Sequence, residues 1–255
     1  MRDLHPTRRQ SEILSAVRLR QSCTIGELAE SLGVSEETIR RNVKPLAQQG
    51  LVRRVHGGIT LPEAFQEPPF QRRMLANSEA KRRIARRVAD LVGNGESVIL
   101  DCGSTTTFVA QALSGHSGLV AVTNSAEIAR TLAAKASNRV FMAGGELRSD
   151  DTASLSTSAL EFVKQFEVQH AILSIGALDE TGALMVYHLA EAEFSRAVIA
   201  RAQTVIVAAD RSKFGRKGLV KVCEPDRVDI LVTDAEPPPP LAGKLAEAGV
   251  EVLLA

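Results

Sequence analysis

The chain has 255 residues, of which 44% are hydrophobic and 24% charged, so it is long enough for two domains of unequal size with a sizeable core. The formal net charge of +1 conceals an asymmetry, because residues 1–90 contain 17 Lys and Arg against 10 Asp and Glu, whereas residues 91–255 contain 14 against 20. Three widely separated cysteines argue against a zinc ribbon or a disulfide framework, and no apolar run is long enough for a signal sequence or a membrane span, which predicts a soluble, cytoplasmic protein.

The first predicted elements are helices, which occupy residues 7–50. Thr7 precedes a first helix, and Thr24 precedes a second helix whose apolar residues recur at helical spacing. Gly33 is expected to end the second helix because it tolerates the conformation in which helices terminate. Ser35 is expected to cap the third helix, since its hydroxyl can accept a hydrogen bond from a free N–H group of the first turn.

The third helix has two contrasting faces. On a helical wheel, apolar side chains lie on one side and cations on the other. A short helix, a tight turn and a second helix with an exposed cationic face form a helix-turn-helix, at about residues 24–43, which can enter the major groove of DNA. The alternative interpretation is a solvated charged surface. The apolar residues are Ile39, Val43 and Leu46, and the cations are Arg40, Arg41 and Lys44.

The segment from Leu51 to Thr60 is predicted to be a two-stranded ribbon with its return turn at Gly57 and Gly58. Its cations lie beside the third helix in sequence and suit a wing that grips the DNA backbone. These cations are Arg53, Arg54 and His56. Because five cations other than the histidine cluster around this geometry, we favour DNA binding over a solvated surface.

From residue 76 onward, apolar runs of strand length alternate with helical patterns. Strands that are almost continuously apolar predict an α/β fold with a parallel sheet covered on both faces. We therefore expect a winged helix-turn-helix domain at residues 1–61, a linker at 62–75 and an α/β domain at 76–255. The seven apolar runs lie at 97–101, 119–123, 139–145, 170–176, 204–210, 229–234 and 250–255.

Polar side chains follow the predicted strands of the α/β domain. In a parallel sheet the carboxyl ends of the strands meet at one edge, which is where ligands bind. Hydroxyl groups, glycines, acids and a lysine are therefore expected to converge there, as in a site for a sugar phosphate. The candidates are Asp101, Gly103, Ser104, Thr105, Thr106, Thr107, Asn124, Asp179 and Lys213.

The run from Gly103 to Thr107 is the most specific part of this predicted site. It forms a strand-to-helix turn that offers backbone N–H groups and hydroxyl groups to a phosphate dianion. The alternative is that these hydroxyl groups only cap the helix. Lys213 would offset the phosphate charge, and Asp101 and Asp179 would accept hydrogen bonds from sugar hydroxyl groups, although an Asp at a strand end is also a common turn residue.

The run TIGELAESLGVSEETIRRNVKPLAQQGLVRRVHGGITLP at residues 24–62 resembles the winged helix-turn-helix of the DeoR family of bacterial transcriptional regulators. The resemblance implies that Thr38, Arg40 and Arg41 face DNA. Two positions depart from the family pattern. Asn42 stands where the family has Asp after its Arg pair, and Pro45 is expected to kink or end the third helix.

The C-terminal part is similar to the same family in several stretches. This resemblance implies a sensor domain similar in fold to ribose-5-phosphate isomerase, with the phosphate at 103–107 and roles for Asn124, Asp179, Glu191 and Lys213. It also implies a repressor or other regulator that binds operator DNA, responds to a phosphorylated sugar or glycerol 3-phosphate, and forms a dimer or tetramer. The stretches are LDCGSTTT, VTNSAEIA, AGGELR, EAEFSRAVI, ADRSKFG and VTDAEPPPP.

Two other functions remain as alternatives at this point. One is a sugar-phosphate isomerase, but the Lys-Gly-Gly-Gly segment of that enzyme would fall at 187–190, which here is Tyr-His-Leu-Ala. The other is a non-specific architectural nucleic-acid-binding protein, which leaves the polar edge of the α/β domain unexplained. We therefore predict a regulator without catalytic residues, metal or cofactor, since His188 and Glu191 have no third ligand at metal spacing.

Overall fold

The structure, a computed structural model, describes residues 7–20, 22–49, 51–55, 57–60, 67–135 and 137–255. The chain forms two compact units, one over Met1–Glu67 and the other over Pro68–Ala255. Within the described parts of the chain, no helix has the length and apolar character needed to cross a membrane.

The N-terminal unit consists of three helices and a small antiparallel sheet. The helices enclose a core that includes Ile13, Leu28 and Ile39, which are fully buried. The sheet has the strand order β1-β3-β2, so the predicted ribbon is confirmed and has gained a third strand. The elements are α1 (Arg8–Arg20), β1 (Ser22–Thr24), α2 (Ile25–Ser31), α3 (Glu36–Gln48), β2 (Arg53–Val55) and β3 (Gly58–Thr60).

Both helices of the helix-turn-helix are capped, α3 by the predicted residue Ser35 and α2 by Thr24, whose capping was not predicted. The Thr24 hydroxyl accepts a hydrogen bond from the N–H of Glu27 at 3.1 Å, and the Glu27 carboxylate accepts one from the N–H of Thr24 at 2.7 Å. This reciprocal arrangement satisfies two donors that the start of α2 would otherwise leave free. Gly33 adopts a left-handed conformation with φ of 62°, and the Ser35 hydroxyl accepts from the N–H of Thr38. The turn is therefore determined by its local sequence.

Pro45 does not end α3, which continues to Gln48. Proline removes one backbone donor and crowds the preceding turn. The neighbouring side chains Val43 and Leu46 are fully buried and hold the helix against the core on both sides of the proline. The Pro45 carbonyl still accepts a hydrogen bond from the N–H of Gln49 at 3.0 Å, so the last turn closes normally.

The C-terminal unit is an α/β domain. Its helices and strands follow in the order α4 (Phe70–Leu75), α5 (Ser78–Ala89), β4 (Ser97–Leu100), α6 (Ser104–Leu113), β5 (Val120–Thr123), α7 (Ala126–Ala133), β6 (Arg139–Met142), α8 (Thr157–Val163), β7 (Val168–Ser174), β8 (Ala177–Leu178), β9 (Leu184–Val186), α9 (Leu189–Ile199), β10 (Ala202–Ala208), β11 (Val220–Cys223), β12 (Ile230–Thr233), α10 (Pro239–Glu247) and β13 (Glu251–Leu254).

Seven strands form one parallel sheet in the order β13-β12-β10-β7-β4-β5-β6. They correspond to the seven predicted apolar runs, so the predicted α/β class is confirmed. The chain leaves β4 toward β5 on one side and later returns to β7 on the other side. The direction of the strand order therefore reverses between β4 and β7, and such a reversal opens a crevice at the carboxyl ends of the strands.

Both faces of the sheet are covered by helices. Successive side chains of a strand point to opposite faces, so Ile99 packs into the core beneath α8, α9 and α10. Its neighbours Val98 and Leu100 pack into the core beneath α5, α6 and α7. Helix α5 is amphipathic: Ile84 and Val88 are buried within this second core, whereas Arg82, Arg83 and Arg86 are exposed.

Two features of this unit were not predicted. Strands β8, β9 and β11 form a separate antiparallel sheet, whose strands have two to four residues. Helix α4 lies inside the range 62–75 that was predicted as linker. It forms because Phe70 and Met74, four residues apart, face the domain; Phe70 is buried and Met74 packs against the core beneath α5, α6 and α7.

Candidate functional sites

The predicted faces of α3 are confirmed. Ile39, Val43 and Leu46 are fully buried, and Arg40, Arg41 and Lys44 are exposed. A helix that turns an apolar stripe inward leaves the opposite stripe available to a partner. The exposed stripe carries guanidinium and ammonium groups that suit guanine edges and phosphates.

Arg40 has a carboxylate partner on its own helix. Its Nη2 atom lies 2.6 Å from Oε2 of Glu36, one turn earlier, and both side chains are half exposed. Asn42, which stands where the family pattern has Asp, donates from Nδ2 to the Thr38 carbonyl at 2.9 Å. Glu36 therefore pairs with Arg40, and Asn42 is engaged with the backbone.

The wing presents its cations on the outer strand of the small sheet. Arg53 and Arg54 lie on β2, whose side chains are exposed. His56, the third predicted residue of the wing, lies outside the described residues. Thr38 is placed at the start of α3, where its hydroxyl lies 3.0 Å from the Ser35 hydroxyl.

In the C-terminal unit, the carboxyl ends of β4 and β7 meet at a glycine. The Asp101 carboxylate accepts a hydrogen bond from the N–H of Ser174 at 3.0 Å, which joins the two strand ends. A Cβ atom on Gly103 would lie 1.9 Å from the Ser174 Oγ atom, so this turn accepts only glycine without a shift of Ser174. Asp101 and Gly103, two of the residues predicted from the sequence, therefore lie where the strand order reverses.

The first turn of α6 follows directly and is buried from Ser104 to Thr107. The hydroxyl groups of Thr106 and Thr107 donate to the Gly103 carbonyl at 3.1 and 2.7 Å, so they bond back to the preceding turn and do not cap the free N–H groups of the helix. The Ser104 hydroxyl instead accepts from the Lys81 ammonium at 3.0 Å. The turn thus combines a helix N-terminus with a buried cation, a combination that favours an anionic group.

Asp101 is almost fully buried at this edge. Burial raises the pKa of its carboxyl group well above the usual range, although hydrogen bonds from Ser174 and Thr106 act in the opposite direction. A protonated Asp101 does not repel an anion. It can also donate a hydrogen bond to a ligand oxygen.

An ion network lies beside this turn. Arg148 pairs with two carboxylates: Nε lies 3.0 Å from Oδ1 of Asp151, and Nη1 lies 2.5 Å from Oε1 of Glu191. Burial lowers the pKa of the Arg148 guanidinium, but the bond from Asp151 and the charge of Glu191 outweigh burial and hold that pKa above its usual value. Its Nη2 atom lies 3.9 Å from the Cys102 sulfur, so the network reaches the residue before Gly103.

Asn124 is fully buried at the end of β5, the neighbour of β4. Its Nδ2 atom donates to the Ser154 carbonyl at 3.0 Å, whereas its Oδ1 atom has no hydrogen-bond partner in the described part of the chain. A buried polar atom without a partner costs free energy. A ligand hydroxyl group could satisfy this acceptor.

Two predicted residues have other surroundings. The Asp179 carboxylate accepts hydrogen bonds from Thr181 and Ala183, which closes the turn between β8 and β9. Partial burial raises the pKa of Asp179, but these hydrogen bonds outweigh it and hold the pKa below its usual value. Lys213 ends a short 3-10 helix after β10, and its N–H donates to the Asp210 carbonyl. The Asp179 carboxylate is thus bonded within its own turn.

Two residues of the site were not predicted from the sequence. Lys81 lies three and seven positions before Ile84 and Val88, so the helical period already placed this cation on the buried face of α5. Arg148 lies in the stretch AGGELR, but local spacing gives no sign that it meets Glu191, 43 residues later. Burial also raises the pKa of the Cys102 thiol well above its usual value, which argues against a reactive cysteine.

Two family profiles together match most of the chain. The profile described as DeoR-like helix-turn-helix domain matches residues 9–65. The profile described as DeoR C terminal sensor domain matches residues 76–235.

Curated relatives are similar along nearly the whole chain. The glycerol-3-phosphate regulon repressor of Escherichia coli strain K12 is 39% identical over 232 residues, which cover 91% of this chain and 92% of the relative. The HTH-type transcriptional repressor CsqR of the same organism is 32% identical over 246 residues, which cover 96% of this chain and 94% of the relative.

Among solved structures, ribose 5-phosphate isomerase from Plasmodium falciparum is similar over 55% of this chain and 54% of the isomerase, at 15% sequence identity and a TM-score of 0.39. This likeness is partial. It carries no conclusion about ligand or activity.

Proposed function

The chain belongs to the DeoR family of DNA-binding transcriptional regulators, and from this membership we propose that it represses a carbohydrate- or glycerol-catabolic operon under the control of a phosphorylated metabolite. It is a regulator and not an enzyme. The relatives described above are named as transcriptional repressors, and one of them is named for the glycerol 3-phosphate regulon. We propose that it acts in the cytoplasm.

The observation that carries the effector proposal is the buried turn at Gly103. Its backbone N–H groups, the Ser104 hydroxyl and the Lys81 ammonium converge at one helix N-terminus. A phosphate dianion is favoured by both the aligned peptide dipoles and the cation. The organic part of the effector would then lie toward Asp101 and Asn124, where the unpaired amide oxygen of Asn124 suits a hydroxyl donor.

Lys213 and Glu191 remain part of the proposed site. Lys213 follows β10, whose neighbour is β7, so this residue comes after the carboxyl end of a strand at the edge that carries the Gly103 turn. Glu191 is paired with Arg148. We propose that ligand hydroxyl groups exchange hydrogen bonds with this pair.

The DNA-binding surface in this proposal is the exposed stripe of α3 together with the wing. Arg40, Arg41 and Lys44 would enter the major groove, and Thr38 would contact its edge. Arg53, Arg54 and His56 would contact phosphates. We propose that the protein binds as a dimer or tetramer, because one recognition helix reads too few base pairs for genomic specificity.

The effector can change DNA affinity only if it binds one conformational state of the protein more tightly than the other. Thermodynamic linkage then requires operator DNA to change effector affinity by the same factor. A reciprocal effect measured in both directions would therefore distinguish control by an effector from independent binding at two sites.

Calorimetry tests the effector proposal. Wild-type protein is titrated with sn-glycerol 3-phosphate, hexose phosphates and inorganic phosphate, and so are the variants Thr105→Glu and Lys213→Glu. Lys217→Glu is the matched control, because it reverses the charge of an exposed lysine in the same segment. We expect the first two variants to lose binding and the control to keep it.

The possible outcomes are distinct. If no phosphorylated compound binds to the wild type, the sensor proposal is wrong. If Lys213→Glu binds as tightly as the wild type, Lys213 does not belong to the site, whereas the proposal for the Gly103 turn still depends on the result for Thr105→Glu.

A further inference from the structure

Helix α4, the first element of the C-terminal unit, is attached at its start to the loop after β6. Its first N–H group, that of Phe70, lies 3.0 Å from both carboxylate oxygens of Asp150. The Arg73 guanidinium also lies 4.0 Å from this carboxylate. Asp150 precedes Asp151, which binds Arg148 in the ion network.

The end of α4 is attached to the other side of the same site. Lys81 on α5 has only 3% of its surface exposed, and its ammonium donates to the Arg73 carbonyl of α4. The same ammonium donates to the Ser104 hydroxyl at the first turn of α6. One buried cation therefore joins α4 directly to the turn that is proposed to hold the phosphate.

We propose that α4 is the output element of the sensor domain. When an anion binds at the Gly103 turn, Lys81 and Asp150 change their contacts with α4. This inference rests on the proposed function, because it requires an anion at the first turn of α6. It adds a regulatory role for residues that have no part in binding the organic group of the effector.

The chemistry at Lys81 gives the direction of the response. A phosphate dianion beside Ser104 attracts an ammonium group more strongly than a neutral carbonyl oxygen does, because the hydrogen bond between two charged groups is stronger. The bond from Lys81 to the Arg73 carbonyl then weakens. A ligand that attracts the Arg148 guanidinium also shifts Asp151, which is paired with it. The neighbouring residue Asp150 then moves as well.

The surroundings of α4 allow it to move. A cavity of about 380 Å³ lies between α4, α6 and the turn at 150–152, and its lining includes Phe70, Met74, Thr107 and Asp151. Among the side chains of α4, only Phe70 is buried. A helix of six residues whose apolar contacts come from Phe70 and Met74 costs less free energy to displace than a long core helix. Because α4 follows residues 61–66 in the chain, its displacement is passed to the DNA-binding unit through the covalent backbone.

The test compares Asp150→Ala with Arg72→Ala in the full chain. Asp150 is half exposed, so its removal frees the start of α4 without disturbing the core. Arg72 is an exposed residue of the same helix and is the matched control. The probes are sn-glycerol 3-phosphate and an operator duplex recovered by selection from random DNA. Amide hydrogen exchange over residues 70–76 reports on α4 itself.

We expect effector binding by Asp150→Ala to stay within about threefold of the wild type, while the effector changes its operator affinity by less than about twofold. In the wild type and in Arg72→Ala, the effector should accelerate amide exchange over residues 70–76. In Asp150→Ala this exchange should already be fast and should not respond.

A full effector response in Asp150→Ala would overturn the inference, and so would unchanged exchange of α4 in a wild type whose operator affinity does respond. If the wild type binds neither sn-glycerol 3-phosphate nor another phosphorylated compound, the proposed function fails first, and this inference fails with it. Calorimetry on the wild type separates the two cases before any variant is made.

Discussion

The Arg40 guanidinium lies 2.6 Å from the Glu36 carboxylate on the exposed face of α3. Both groups are half exposed, and a pair of this kind stabilises a protein by about 0.2–1 kcal/mol. The pairing holds the long side chain of Arg40 along the helix before DNA arrives. In the proposed DNA complex, Arg40 would exchange this weak partner for a phosphate or a guanine edge.

We expect Arg40→Ala to lower operator affinity by about 1–3 kcal/mol, the contribution of one good base or charged contact. Its free energy of unfolding should change by less than about 1 kcal/mol, because only a surface ion pair is lost. Gel-shift titration and urea denaturation measure the two quantities. Arg216→Ala, which removes an exposed arginine of the C-terminal unit, is the control and should change neither.

Arg53→Ala in the wing should weaken binding to all DNA sequences alike. A contact to phosphate carries no sequence information, and each one lost lowers the slope of log K against log salt by about 0.9. Titrations of the operator and of an unrelated duplex at several salt concentrations measure this slope. A loss confined to the operator would instead mean that Arg53 reads bases.

Gly103→Ala should destabilise the C-terminal unit by about 1–3 kcal/mol, because the added Cβ would lie 1.9 Å from the Ser174 hydroxyl oxygen. Gly144→Ala is the matched control, since no heavy atom lies within 4 Å of its Cβ position. Urea denaturation of both variants measures the difference. The double variant Gly103→Ala with Ser174→Gly should recover part of the loss, and no recovery would contradict the assigned contact.

Asp101→Asn should alter the pH dependence of stability. Because the pKa of Asp101 is raised in the folded state, its contribution is fully present below the pKa of the unfolded chain and is lost as pH rises through the folded-state pKa. The asparagine variant does not ionise, so its stability relative to the wild type should increase with pH. Urea denaturation between about pH 5 and about pH 8 tests this, and a constant difference would contradict it.

Much of the architecture could be predicted from local patterns. The cap at Ser35 and the apolar runs of the seven parallel strands are predicted by short stretches of sequence, each for a direct physical reason. The convergence of Asp101 and Gly103 on one edge followed from the rule for parallel sheets. The strands of the small sheet β8-β9-β11 were missed because strands of two to four residues carry too few positions to show a period.

The site itself depends on contacts that local patterns do not encode. Lys81 could have been found, since it interrupts the apolar face of α5, but its partner Ser104 depends on how α5 packs against α6. Arg148 and Glu191 meet across 43 residues. Asp179 was predicted as a ligand-binding residue from its place after a strand. An Asp at such a place can also close a turn, and the hydrogen bonds of Asp179 to Thr181 do so in this structure.

The hydrogen bond between Asp101 and the N–H of Ser174 joins residues that are 73 positions apart. During synthesis, the whole N-terminal unit and the Gly103 turn leave the ribosome well before β7 exists to complete the crevice. A chain truncated before Ser174 therefore retains every described residue of the recognition helix but lacks half of the crevice wall. Such a chain also lacks β10, β12 and β13, so the parallel sheet, and with it the crevice, can be completed only after most of the chain has left the ribosome.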